Sequence, residues 1–200
     1  HSSPFGLIKA LKEKYTDISI LHVDAHHDLR KAYQGYQYSH ASIMYNVMEE
    51  LSPASLVQLG IRDFCPEEAE YAQKNTSIHP FYDAKVAINL HFGDPVTGGP
   101  LSWKEICTDA LSRLTNHVYI SMDIDGLSPD LCPHTGTPVP GGISFHQLET
   151  LLYALSNSGK KIIGFDLCEV SPASPQELDA WDGNVGARVL FKLCGALLNQ

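Results

Sequence analysis

The 200-residue chain lacks most of the features that would place it outside ordinary globular proteins. No stretch of about 18 apolar residues occurs, which excludes a hydrophobic transmembrane helix. No basic segment followed by an apolar one suggests a cleaved leader. Basic residues are scarce, with 14 Lys and Arg against 23 Asp and Glu, for a formal net charge of −9. That balance argues against a nucleic-acid groove and against an anionic membrane surface as partners. The five cysteines are odd in number and scattered (Cys65, Cys107, Cys132, Cys168, Cys194), with no C-x-x-C pair. Neither a zinc knuckle nor a disulfide framework is expected; reduced thiols in a cytoplasmic protein are. No internal repeat, low-complexity tract or linker breaks the sequence, so residues 1–200 read as one domain. An initiator methionine is missing too, and His1-Ser2-Ser3-Pro4-Phe5 runs almost directly into a helical pattern. This start suggests a chain lacking an amino-terminal portion.

The order of patterns is strand and helix in alternation, which predicts an α/β fold with a mostly parallel sheet. Helices are expected near 4–14, 41–51, from Pro66, 103–114, from Ser144 to Leu155, and 184–198. Buried strands are expected at 18–23, 55–61, 118–122 and 162–167, and a weaker one at 77–82. Their β-branched, nearly charge-free runs suit strands covered on both faces. Residues 30–39 and 92–100 read as loops, and 128–142, with four prolines and three glycines, as an irregular loop with fixed turns. Ser144 is placed to cap its helix, and Glu67 and Glu68 to favour the start of theirs.

The chemistry is concentrated in two short patches. Asp24-Ala25-His26-His27-Asp28 follows the first strand and Asp123-Ile124-Asp125 follows another. Side chains two residues apart on a strand point the same way, so Asp24 and His26 can share a site, and Asp28 can fold back to it. Ligands in open α/β sheets bind at the carboxyl ends of the strands, where both patches lie and where Glu169 ends a third strand. Taken singly, each patch could be a loop of solvated acids or a turn. Together they form a cluster of like charge that needs cations, and hard oxygen donors with imidazole suit manganese. The carboxylates are too many for one ion. Two ions a few ångströms apart would lower the pKa of a bridging water, which makes hydrolysis the expected reaction class.

The segments VDAHHDLR, SMDIDGLSPDLCPHTGTPVPGG and GFDLCEVSP resemble, in order and spacing, the three signature regions of the ureohydrolase superfamily (arginase, agmatinase, formimidoylglutamase), over essentially the whole chain. The resemblance implies a three-layer α/β/α sandwich and two Mn2+ per chain. Asp24 and Asp123 would bridge the ions. His1 and Asp28 would complete the first site, and His26 and Asp125 the second. His40 matches a proton-transfer histidine, Glu169 the carboxylate that pairs with a substrate guanidinium, and Thr137 a turn beside the site. His22 and His27 match no role and are read as structural. If an amino-terminal portion is absent, the ion beside His1 is the one expected to be lost.

The implied reaction is attack on a guanidinium carbon, with protonation of the leaving amine by Asp125 or through His40. Its products are urea and an amine. The substrate is read less sharply. Cys65 stands where arginases carry an acid, which disfavours L-arginine. Asp28-Leu29-Arg30 resembles formimidoylglutamase, and Arg30 could meet an anionic tail. TGTPVPGG and His40 look more like agmatinase. Small guanidino or formimino substrates remain open, as does a non-catalytic or inactive form of the fold. Family members often form trimers or hexamers, so a homo-oligomer is expected.

Overall fold

The computed structural model describes residues 1–93, 99–171 and 180–200. Five parallel strands form one sheet in the order β3-β2-β1-β4-β5. They are β1 (Ile18–Val23), β2 (Ser55–Ile61), β3 (Ile78–Tyr82), β4 (His117–Asp123) and β5 (Lys161–Cys168). Every residue of β1 and β2 is buried, as their mostly apolar character predicts, whereas the edge strands β3 and β5 are mostly half-buried.

Two separate apolar clusters cover the two faces. On one, Ile18, Ile20, Leu56, Ile78 and Tyr119 meet Ile8 of α1 (Phe5–Lys14), Ile43 and Met44 of α2 (Ile43–Asn46), and Ala72 of α3 (Pro66–Lys74). On the other, Leu21, Val23, Val57, Val118 and Ile120 meet α5 (Trp103–Ser112), α6 (Phe145–Ser156) and α7 (Trp181–Leu198). The result is the expected helix–sheet–helix sandwich. Fully burying each large aliphatic side chain stabilises the fold by roughly 1.5–3 kcal/mol.

Several local expectations hold for the reasons given. Ser144 Oγ accepts from the Gln147 backbone N–H, and Gln147 returns a bond to the Ser144 N–H. Glu68 closes the same type of box on the Cys65 N–H. The helix expected over 41–51 is instead segmented. It has a 3-10 turn at His40–Ser42, one α turn, and a π turn at Val47–Leu51 that stops at left-handed Ser52. The last helix begins at Trp181 rather than 184, and the strand at 77–82 begins at Ile78.

One further helix, α4 (Asp83–Phe92), carries no clear sequence signal. Only Val86 is buried while Ile88 and Phe92 are exposed, so its apolar residues do not share one face. The loop reading at 92–100 overlaps this helix at Phe92, and its residues 94–98 lie outside the described residues. Among the described residues, no helix is long and apolar enough to cross a membrane.

Candidate metal centre

The site stands at the carboxyl ends of β1, β4 and β5, the three strands that bring distant acids together. The pairing of β1 with β4 sets Val23 opposite Met122, so the residues that follow, Asp24 and Asp123, emerge side by side. Close backbone packing holds them there. A Cβ on Gly126 would lie 2.7 Å from the Asp24 nitrogen, so no larger residue fits behind the first patch. Asp28 and Glu169 adopt left-handed φ values of 54° and 60°, an uncommon state for residues with side chains.

Two donor groups share Asp24. In the first, ligand-capable atoms of His1, His22, Asp24 and Asp28 all lie within 4.8 Å of one another; in the second, those of Asp24, His26 and Asp125 do. His1 Nδ1 is 3.0 Å from Asp24 Oδ2, 3.2 Å from Asp28 Oδ2 and 3.4 Å from Asp123 Oδ2. His26 Nδ1 is 3.3 Å from Asp24 Oδ1 and 3.2 Å from Asp125 Oδ2. The structure therefore brings His1, Asp24, His26, Asp28, Asp123 and Asp125 to one place.

All of these but His26 are buried, His1 included. Asp28 Oδ2, although buried, has no hydrogen-bond partner. A set of four carboxylates with two imidazoles and an orphaned oxygen fits divalent cations better than it fits an empty core.

The electrostatics show the same excess of negative charge. Burial pushes the Asp28 carboxyl up to about 6, and the charge on Asp24 adds to the effect. Asp123 is raised well above the carboxylate range by burial and then by Asp24 and Asp125. Burial would lower both histidines, but their carboxylate partners outweigh it. His1 is held well above the ordinary imidazole value by Asp166, Asp24 and Asp28, and His26 is raised to about 11 by Asp125 and Asp24. Protons stand here where cations can replace them.

The remaining site residues from the sequence line the same pocket, which is also bounded by Asp63 and Phe64. Thr137 Oγ1 donates to Asp125 Oδ2 at 3.3 Å. Glu169 Oε1 accepts from the His1 nitrogen at 2.6 Å. His40 is exposed at the pocket mouth, its ring against that of Tyr33. Arg30 lies over the Tyr33 ring with its Nε 3.5 Å from Glu68 Oε2. Pro172, the last residue of the third signature, lies outside the described residues.

Sequence reasoning missed several supporting residues. Arg62 donates to the carbonyls of Gly60, Asp125, Leu127 and Val139 and so ties the 127–142 loop to the end of β2. Ser121 Oγ is 2.8 Å from His1 Nε2, and Asp166 Oδ1 is 3.5 Å from it. Ser121 was findable from strand alternation, since it lies two residues before Asp123, whereas Asp166, three before Glu169, was not. His22, read as structural, sits within the first donor group, with Nε2 2.9 Å from Asp24 Oδ2.

Known proteins resemble this chain in sequence and in fold. A relative named N(1)-aminopropylagmatine ureohydrolase from Thermus thermophilus is 39% identical over 173 residues, covering 86% of this chain and 53% of the relative. An agmatinase from Bacillus cereus is 35% identical with the same coverage of each. The chain thus spans about half the length of the curated relatives it matches. Among solved structures, a putative agmatinase from Clostridium difficile superposes with a TM-score of 0.80 at 25% identity, over 98% of this chain and 64% of that one. Proclavaminate amidino hydrolase from Streptomyces clavuligerus shares the fold, with a TM-score of 0.79 over 100% of this chain and 61% of that one. The profile of the arginase family matches residues 1–195, and the chain belongs to that family.

Proposed function

We propose that this chain carries the catalytic centre of a binuclear, manganese-dependent hydrolase that cleaves a guanidino compound to urea and an amine. The observation that carries the reading is the sharing of Asp24 between two donor groups, the first completed by His1 and Asp28 and the second by His26 and Asp125. Asp123, whose Oδ2 lies 3.4 Å from His1 Nδ1, would join the residues that hold the ions. Bound there, the ions would supply positive charge to the reacting centre and an activated water.

The chain's own residues do the rest. Glu169, which lines the pocket, would hold the planar guanidinium by paired hydrogen bonds once Oε1 gives up its bond from the His1 nitrogen. Thr137 donates to Oδ2 of the Asp125 carboxylate and fixes it where it can pass the proton lost by the attacking water to the leaving amine. His40, exposed at the mouth, exchanges that proton with solvent.

The pocket wall favours an amine-tailed substrate over a guanidino acid. Arg30, the one cation that could meet an anionic tail, is engaged by Glu68 and Tyr33, while Asp63 stands exposed at the same mouth. This supports agmatine-like amines, in keeping with the names of the relatives, and weighs against formimidoylglutamate. The setting we propose is cytoplasmic and homo-oligomeric. All five cysteines are free thiols, and light scattering in solution reads the assembly.

The test is metal analysis together with product assays on agmatine, aminopropylagmatine, guanidinobutyrate, arginine and formimidoylglutamate. In the full-length protein, two manganese ions per chain and urea from the amine-tailed compounds are expected. No metal, and neither urea nor formamide from any compound, would sink the enzymatic reading in favour of a non-catalytic form of the fold.

A further inference from the structure

Behind Asp24 runs a buried hydrogen-bonded row that the proposed reaction does not use. His22 of β1 and Gln58 of β2 are register partners on adjacent strands, and both are fully buried. Gln58 Nε2 lies 2.9 Å from His22 Nδ1 and 2.9 Å from the His27 carbonyl oxygen. Gln58 Oε1 lies 2.7 Å from His27 Nδ1. His22 Nε2 then reaches Asp24 Oδ2 at 2.9 Å.

Elementary donor and acceptor chemistry fixes every proton in this row. The His27 carbonyl can only accept, so it must face the amide nitrogen of Gln58, and this settles which way the amide points. The second amide hydrogen is then directed at His22 Nδ1, which must be bare. The amide oxygen can only accept, so His27 carries its hydrogen on Nδ1. The orphaned Nε2 of His27, buried and without a partner, is the bare nitrogen this assignment requires. A neutral His22 with Nδ1 bare has its hydrogen on Nε2, pointed at Asp24.

We propose that Gln58 is a positioning residue: it dictates the tautomer of His22 and thereby orients the Asp24 carboxylate. The Nε2–H of His22 occupies one lone pair of Oδ2, and the His26 backbone N–H, at 2.6 Å, occupies one of Oδ1. The carboxylate plane is thus held at both oxygens, and the remaining lone pairs face the donor groups, His1 Nδ1 at 3.0 Å from Oδ2 and His26 Nδ1 at 3.3 Å from Oδ1. His22 is one hydrogen bond removed from the ligating atoms and Gln58 acts through it; loss of such support commonly changes metal affinity by about 10–100-fold. The effect on metal rests on the reading of Asp24 as a shared ligand; the tautomer assignment does not.

The test separates the two. Long-range 1H–15N spectra of the metal-free protein, labelled at histidine, are expected to show His22 protonated at Nε2 and His27 at Nδ1. In Gln58→Glu the new carboxylate accepts where the amide donated, so the His22 tautomer is expected to shift to hydrogen on Nδ1. In Gln58→Met, similar in length and apolar, His22 is expected to populate both tautomers, with the far-UV spectrum checking the fold. Both variants should bind Mn2+ about 10–100-fold more weakly, read by the free-ion electron paramagnetic signal. A wild-type His22 protonated at Nδ1 would overturn the proposal even if neither variant folds. So would variants that keep the wild-type imidazole signature or bind manganese within twofold of it. A wild-type chain with the expected tautomers that takes up no Mn2+ would overturn the orienting role together with the metal reading, leaving only the proton assignment.

Discussion

The central strands β1 and β4 carry a histidine–aspartate pairing at each end, and the two are built to opposite ends. At the amino end, His117 Nδ1 meets Asp17 Oδ1 at 2.6 Å, with both side chains substantially open to solvent. That is one base and one acid, balanced, in a high dielectric. At the carboxyl end His26 faces two carboxylates and His1 faces three within 3.4 Å, and the surroundings are buried. Here the acids outnumber the bases and solvent does not screen them. The first arrangement is a surface ion pair of little consequence. The second is stable as a functional centre only with further positive charge. What marks a site is the surplus of acids over bases in a buried place, not the presence of the pair.

Removing a member of the surplus should have the largest effect. Asp24→Asn is expected to abolish tight manganese binding and to lower kcat for urea release on the order of 10³-fold, by steady-state assay. Arg62→Met comes next. It leaves carbonyls of Gly60, Asp125, Leu127 and Val139 without their donor and should destabilise the fold by about 2–3 kcal/mol in urea denaturation.

Asp123→Asn sharpens the comparison in the other direction. Burial, Asp24 and Asp125 hold the Asp123 carboxyl well above its ordinary range, so folding costs it a proton uptake that asparagine does not need; the metal-free protein should become more stable by about 0.5–2 kcal/mol while losing its metal. A metal-free melting temperature that falls would show the acids are not in excess. At the opposite end, Asp17→Asn should change stability by less than about 1 kcal/mol and leave activity alone. A larger loss there would erase the distinction between the two pairs.

The thiols report the same contrast most gently. Burial raises Cys107, far from the acids, to about 11; Cys132, raised first by burial and then by Asp125, Asp182 and Asp123, reaches about 12. Folded values above the ordinary 9.0 mean that the native state holds its thiol protons longer than the unfolded chain does. Their stabilising effect is therefore intact below pH 9 and declines as pH rises toward the folded values. Alkylation followed by mass spectrometry across this range should find Cys132 the slower to ionise. Added Mn2+ should draw it toward Cys107 by neutralising the nearby carboxylates.

Much of this centre was legible in the sequence, because Asp24, His26, Asp123 and Asp125 obey the two-residue alternation of a strand running into a loop. The order of strands and helices was legible too, since β1, β2 and β4 are mostly apolar and nearly free of charge. What escaped had no local signature. Gln58 acts on His22 because two strands align in register, and Arg62 acts on a loop that begins some 65 residues later. Helix α4 was hidden for a different reason: it shows too few buried residues to imprint a period.

The sheet register also sets an order of events in folding. Ile18 lies against His117, so the central strand pair closes a loop of nearly one hundred residues before the two acid patches can meet. Parallel pairings over such separations form slowly, because chain entropy is lost before contacts reward it. The donor atoms are thus scattered throughout the early stages and converge only when the last long loop closes. A cation that binds the finished centre acts on the native state alone. It prolongs the life of the folded chain and leaves the rate of reaching it unchanged.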